Sequence, residues 1–118
     1  GEQRRVHFAR ALIQLWQPLN TEDQKYLLLD EPFSNLDLVH KVKMMNSIKK
    51  RASSGTGVLM ILHDLNLAYS FSDKIVILKN GKLVEKGKTK NMLSAKLLAR
   101  AYETFISIDD NPINIRYY

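Results

Sequence analysis

The chain of 118 residues is 45% hydrophobic, enough for one globular core and too little for two full domains. Its 18 Lys and Arg against 12 Asp and Glu leave a formal charge of +6, but the basic residues run from Arg4 to Arg116 with no aromatic ladder, so the excess reads as solvated surface and no nucleic-acid partner is expected. The lack of cysteine excludes a disulfide framework and a cysteine-based zinc site, and the longest apolar runs, Tyr26–Leu29 and Val58–Leu62, are far shorter than the ~20 residues of a membrane-spanning helix.

From Gln3 to Gln17 the apolar residues Val6, Ala9, Leu12, Ile13 and Trp16 recur at helical spacing, and Pro18 stops the helix. The continuous run Tyr26-Leu27-Leu28-Leu29 reads as a buried parallel strand, followed at once by Asp30-Glu31-Pro32. A second helix is predicted on Val39, Val42, Met45, Ile48 and Ala52, with Lys49, Lys50 and Arg51 in its last turn and Ser53-Ser54-Gly55 at its end. Gly57 to Leu62 is a second buried strand, delivering His63 and Asp64, and Leu65 to Phe71 a short helix. Ile75–Leu78 and Leu83–Glu85 flank Asn80-Gly81, which predicts a hairpin. Asn91 to Tyr102 has helical spacing, and Phe105-Ile106 and Ile113–Ile115 read as closing strands around Asp109–Pro112. Strands alternating with helices predict an α/β fold with a mostly parallel sheet, in which ligands sit beyond the carboxyl ends of the strands.

That rule singles out Asp30, Glu31 and His63. Successive side chains of an extended strand alternate sides, so the two carboxylates are expected to have separate jobs. In phosphoryl transfer one would stand near Mg²⁺ and the other would orient or deprotonate the attacking water, while a histidine at the neighbouring strand end could contact the transferred phosphate.

In order, these residues resemble the nucleotide-binding subunits of ABC transporters. Gly1-Glu2-Gln3 is similar to the tail of the L-S-G-G-E-Q signature, Leu27–Pro32 to the Walker B strand and its glutamate, Ser34-Asn35-Leu36-Asp37 to the D-loop, and His63 to the switch histidine. Asp73-Lys74-Ile75, the Asn80-Gly81 hairpin and Gly87 match the segment that follows. The resemblance implies a P-loop NTPase core of the RecA-like kind, here its C-terminal part over residues 1–118, with helices on both faces of the sheet. It implies ATP and Mg²⁺ as cofactors, with Asp30 by the metal, Glu31 as general base and His63 on the γ-phosphate. Gly1, Glu2 and Gln3 would close over ATP held by the opposite subunit of a homodimer, Ser34 and Asp37 would join them at the nucleotide, and Asp37 would help to couple the two sites.

Gln14–Pro18, the polar stretch before Tyr26, Leu36-Asp37-Leu38 with His40, and Leu62-His63-Asp64-Leu65-Asn66-Leu67-Ala68 resemble haem importers most, although siderophore and cobalamin importers share the last motif. The implied partners are membrane permease subunits and, indirectly, a periplasmic or surface substrate-binding protein, with the subunit peripheral at the cytoplasmic face of the membrane. Haem itself would pass through those partners, so His7, His40 and His63 are not read as haem ligands.

A complete ATPase of this kind needs a glycine-rich loop with Lys and Ser/Thr. The run Gly81 to Thr89 has five residues between its glycines where the motif has four, and it lies across the predicted hairpin. It is rejected as a phosphate loop. With no initiator Met at Gly1 and no such loop, the expectation is that the loop precedes these residues and that the chain alone is inactive; a non-catalytic remnant acting as a binding module is the alternative.

Overall fold

A computed structural model describes residues 2–14, 24–34, 36–110 and 113–117. Trp16, Pro18, Asn35 and the Asn111-Pro112 part of the last turn lie outside them, as does Gly1. The chain divides into two units, Gly1–Leu62 and His63–Tyr118.

The first unit runs α1 (Glu2–Gln14), β1 (Tyr26–Asp30), α2 (Leu38–Ser53) and β2 (Gly57–Ile61). β1 and β2 pair in parallel, with Tyr26 opposite Gly57, Leu28 opposite Leu59 and Asp30 opposite Ile61. The close pairing needs a glycine: a Cβ on Gly57 would come within 2.6 Å of the Tyr26 ring. A parallel pair requires a crossover, and α2 supplies it. Asp37 caps α2 by accepting from the His40 N–H, and the helix ends where Gly55 takes φ 94°.

Burial in this unit departs from expectation. Of the β1 run only Leu27 is buried, and Tyr26, Leu28, Leu59 and Ile61 are exposed on the paired strands. A two-stranded sheet has too few neighbours to cover both faces, so the apolar composition of a doubly covered strand is present without its cover. On α2 the buried residues are Met44, Met45 and Ile48, whereas Val39 and Val42 of the expected face are exposed. Strands of 5 residues span roughly 17 Å against about 24 Å for a helix of 16, so a strand pair of this length is too short to cover all of α2. On α1, Val6 and Ile13 are likewise exposed.

The second unit runs α3 (Leu65–Phe71), β3 (Lys74–Lys79), β4 (Lys82–Lys88), α4 (Thr89–Met92), α5 (Ala95–Tyr102), β5 (Ile106–Asp110) and β6 (Ile113–Tyr117). β3 with β4 and β5 with β6 form antiparallel hairpins, so the expected mostly parallel sheet is realised only in β1–β2. The reason is connection length. Asn80 and Gly81, at φ 50° and 70°, make a two-residue turn, which can join only antiparallel strands.

The helix expected over Asn91 to Tyr102 is two helices. Ser94 leaves the helical region at φ −135° and its hydroxyl accepts from the Leu97 N–H, starting α5 anew. Phe105 lies before β5, and Asp109 and Asp110, expected in the turn, extend that strand. The core of this unit gathers Leu65, Ile77, Met92, Leu98, Ala101, Ile106 and Ile115. Asn66 fastens its last strand. The Asn66 amide accepts from the Ile115 N–H at 2.8 Å and donates to the Ile115 carbonyl at 3.1 Å, a side-chain copy of strand pairing.

Candidate functional site

β1 delivers Asp30 and Glu31 to its carboxyl end, as its register with β2 requires. Asp30 closes the strand and is exposed. Glu31 leaves it: its φ is 42°, in the left-handed region that a non-glycine residue occupies at a cost, and its N–H donates to the Ile61 carbonyl at 3.2 Å. Pro32 does not drive this, since a following proline favours extended conformations at negative φ. The two carboxylates do have separate surroundings, although the cause is this backbone turn and not the alternation of an extended strand.

Ser34 fixes the turn. Its hydroxyl is 3.1 Å from the Glu31 carbonyl oxygen and 3.2 Å from Glu31 Oε2, and its N–H donates to the same carbonyl at 3.3 Å. Phe33, between them, is buried and anchors the turn in the first unit. Beside the turn lies a cleft of about 410 Å³, lined by His7, Phe8 and Ala11 of α1 and by Leu29, Asp30 and Glu31. That volume falls in the range of small-ligand sites.

Asp37 closes the segment that follows Ser34 by capping α2, and the His40 ring Nδ1 lies 2.7 Å from its Oδ2. Glu2 and Gln3 stand exposed in the first turn of α1; Gly1 lies outside the described residues. His63, exposed, opens the second unit two residues after β2 ends, and its neighbour Asp64 takes the capping role on α3 by accepting from the Leu67 N–H at 3.1 Å. The structure thus brings Asp30, Glu31 and Ser34 together at one strand end and leaves Asp37 on the helix that follows.

Among the described residues no group of three His, Cys, Asp or Glu could hold a metal ion by itself. Mg²⁺ keeps several waters and takes one or two carboxylates together with substrate phosphates. Asp30, an exposed carboxylate at the mouth of a cleft, fits that donor set.

The Gly81 to Thr89 run makes no phosphate cradle. Gly81 is in the hairpin turn, Gly87 pairs with Ile75, and the residues between them are strand. Sequence reasoning missed Ser34 as a support for Glu31, although a hydroxyl three residues after the glutamate is the spacing of a local side-chain turn. It also gave His40 no role, though the pair Asp37 and His40 sits at the i, i+3 spacing of a cap and the N–H that donates to it.

No protein-family model matches the chain. Among curated proteins it is 40% identical, over 112 residues, to the Hemin import ATP-binding protein HmuV of Bartonella quintana, a match covering 95% of this chain and 42% of that protein. It is 43% identical over 103 residues to the protein of the same name from Bradyrhizobium diazoefficiens, covering 87% and 38%. The chain therefore spans about two-fifths of the length of the curated relatives it matches. Among solved structures it is similar to a metal-chelate type ABC transporter in an inward-facing conformation, with TM-score 0.68 and 21% identity over 80% of this chain and 40% of that one. It is also similar to an ATP-binding cassette in a dimeric post-hydrolysis state bound to ADP and Pi, at TM-score 0.50 and 32% identity over 54% and 28%.

Proposed function

This chain belongs, by sequence and by fold, to the ATP-binding proteins of ABC transporters, and from that kinship we propose that residues 1–118 are the C-terminal portion of an ATP-hydrolysing domain that powers haemin uptake. The observation that carries the reading is the end of β1: an exposed Asp30, and a Glu31 lifted out of the strand and held by Ser34, beside a cleft.

In this reading Glu31 is the general base. Its carboxylate is oriented by Ser34 before the attacking water arrives, so part of the ordering cost is met by the fold. Asp30 would hold Mg²⁺, directly or through water; the ion, when bound, offsets the charge of the phosphates. His63, an exposed imidazole following β2, would donate to the γ-phosphate. Glu2 and Gln3, with Gly1 before them, would reach ATP held by the opposite subunit of a homodimer, and Ser34 and Asp37 would lie at that nucleotide interface. In the observed arrangement Ser34 serves Glu31 first.

The partners proposed are a second ATP-binding subunit, membrane permease subunits and, through them, a periplasmic or surface substrate-binding protein. The subunit is proposed to bind peripherally at the cytoplasmic face of the membrane. No helix among the described residues is long and apolar enough to cross a membrane.

Haemin as cargo is supported by the names of the relatives at about 40% identity. The test is growth. These residues, joined behind the corresponding N-terminal part of a haemin import ATP-binding protein, should restore growth on haemin as iron source to a strain lacking its own. Restored uptake of a siderophore or of cobalamin without haemin would reassign the cargo.

A further inference from the structure

The Asp37 carboxylate is tied twice to the residue three positions on. Its Oδ1 accepts from the His40 backbone N–H at 2.9 Å, the ordinary contact of a helix cap. The His40 ring adds something a cap does not need: Nδ1 lies 2.8 Å from Oδ1 and 2.7 Å from Oδ2. Among the described residues the other helices with a side-chain cap lack such a group. Asp64 and Ser94 each cap with a backbone N–H of a leucine, Leu67 and Leu97, which brings no ring donor.

A single cap bond places one oxygen and leaves the carboxylate able to turn about its last torsion. A second donor spanning both oxygens fixes the plane of the group. The ring is 39% exposed and the carboxylate 65%, so solvent screening makes the pair a minor source of stability. What the ring supplies is orientation.

We infer that His40 is a positioning residue for Asp37, its ring clamping the carboxylate against the start of α2. This rests on the reading above, in which Asp37 couples two ATP sites across a dimer. A carboxylate held on its own helix must leave the ring to reach a partner subunit, so His40 governs how readily it does so. To serve both oxygens Nδ1 must carry a proton, as the Nδ1–H tautomer or as imidazolium.

The test is magic-angle-spinning NMR of the chain labelled with ¹⁵N and ¹³C at His and Asp, above the titration range of histidine. The expected result is a protonated His40 Nδ1, a dipolar contact from it to a carboxyl carbon that vanishes in Asp37→Ala, and one narrow Asp37 carboxyl line. His40→Ala should split or broaden that line while the Cα shifts of α2 stay helical. His40→Asn, whose amide nitrogen replaces Nδ1, should restore it, and His40→Gln should not. A neutral ring protonated only at Nε2, or an Asp37 line as narrow in His40→Ala as in the native chain, would overturn the inference. No nucleotide enters these readouts. Failure here removes the role of His40 and leaves the ATPase reading standing; success here with no ATP hydrolysis in the completed domain establishes the clamp and removes the coupling role of Asp37.

Discussion

One hydroxyl, that of Ser34, reaches two oxygens of Glu31: the carbonyl at 3.1 Å and Oε2 at 3.2 Å. Both lie within its reach because Glu31 turns its backbone through φ 42° and doubles the chain back on itself. A strained residue is thus held at both ends, main chain and side chain, by its third neighbour. Strain kept at a position that chemistry would use is what a preorganised site looks like.

Ser34→Ala removes a hydrogen bond to a charged group, worth roughly 1.5–3 kcal/mol when buried and less at this half-buried site. In the protein completed by its N-terminal part, the proposed role of Ser34 in orienting Glu31 predicts a fall of about tenfold in kcat for ATP hydrolysis, larger than any rise in KM. Steady-state kinetics check this; an unchanged kcat would show that Glu31 is held by other groups.

Glu31→Gly should separate stability from chemistry. Glycine adopts a positive φ without penalty, so relief of the left-handed conformation should stabilise the first unit by about 1 kcal/mol, less the entropy glycine adds to the unfolded chain. Thermal melting should therefore rise or hold while hydrolysis is lost. A clear fall in melting temperature would mean that the carboxylate contributes more to the turn than its backbone costs it.

Asn66→Ala deletes both bonds to Ile115 and leaves a backbone N–H and carbonyl of β6 without those partners. The loss should be roughly 1–3 kcal/mol. Hydrogen exchange at the Ile115 amide should quicken accordingly while that of β3 changes little. Equal quickening in both strands would mean that Asn66 supports the whole second unit.

How far the sequence could be read follows from how local each cause is. Strand β1, the helix Leu65–Phe71 and the Asn80-Gly81 turn rest on neighbours within a few residues, and all were legible. Asp30 and Glu31 were legible as a pair because any strand delivers its last residues to one end of the sheet. The positive φ of Glu31 was not, since Pro32 restricts that residue without choosing its conformation. Asn66 and Ile115 are 49 positions apart, and no period or spacing links them. The exposed faces of Leu28 and Leu59 escaped for another reason: composition tells what a strand could bury, whereas cover depends on which neighbours the sheet has. The second start at Ser94 was written in a cap signal that the apolar spacing across it overrode.

The second unit should lose stability in alkali through Tyr69. Its phenol donates to the Met92 carbonyl, and burial, with the neighbouring Tyr102 adding to it, pushes its pKa up from 10.0 to about 12. A pKa raised in the folded state means stability present in full below about pH 10 and lost as pH rises toward 12. Tyr69→Phe should be less stable than the native chain near neutrality, and the gap should close over that window. Unfolding by denaturant as a function of pH, with tyrosinate absorbance as the probe of ionisation, checks it; a gap that persists unchanged through the window would assign the difference to packing alone.

The account stands or falls on whether Glu31 is the base of an ATP-hydrolysing site. The direct measurement is Mg²⁺-dependent ATP hydrolysis by these residues joined behind the N-terminal part of a haemin import ATP-binding protein, with Glu31→Gln in the same protein as the control and ATP binding measured in both. The account predicts hydrolysis in the first and a loss of about 100-fold or more in the second, the usual contribution of a general base, with ATP binding retained. A folded protein that binds ATP and hydrolyses it equally with glutamate or glutamine at this position would contradict it.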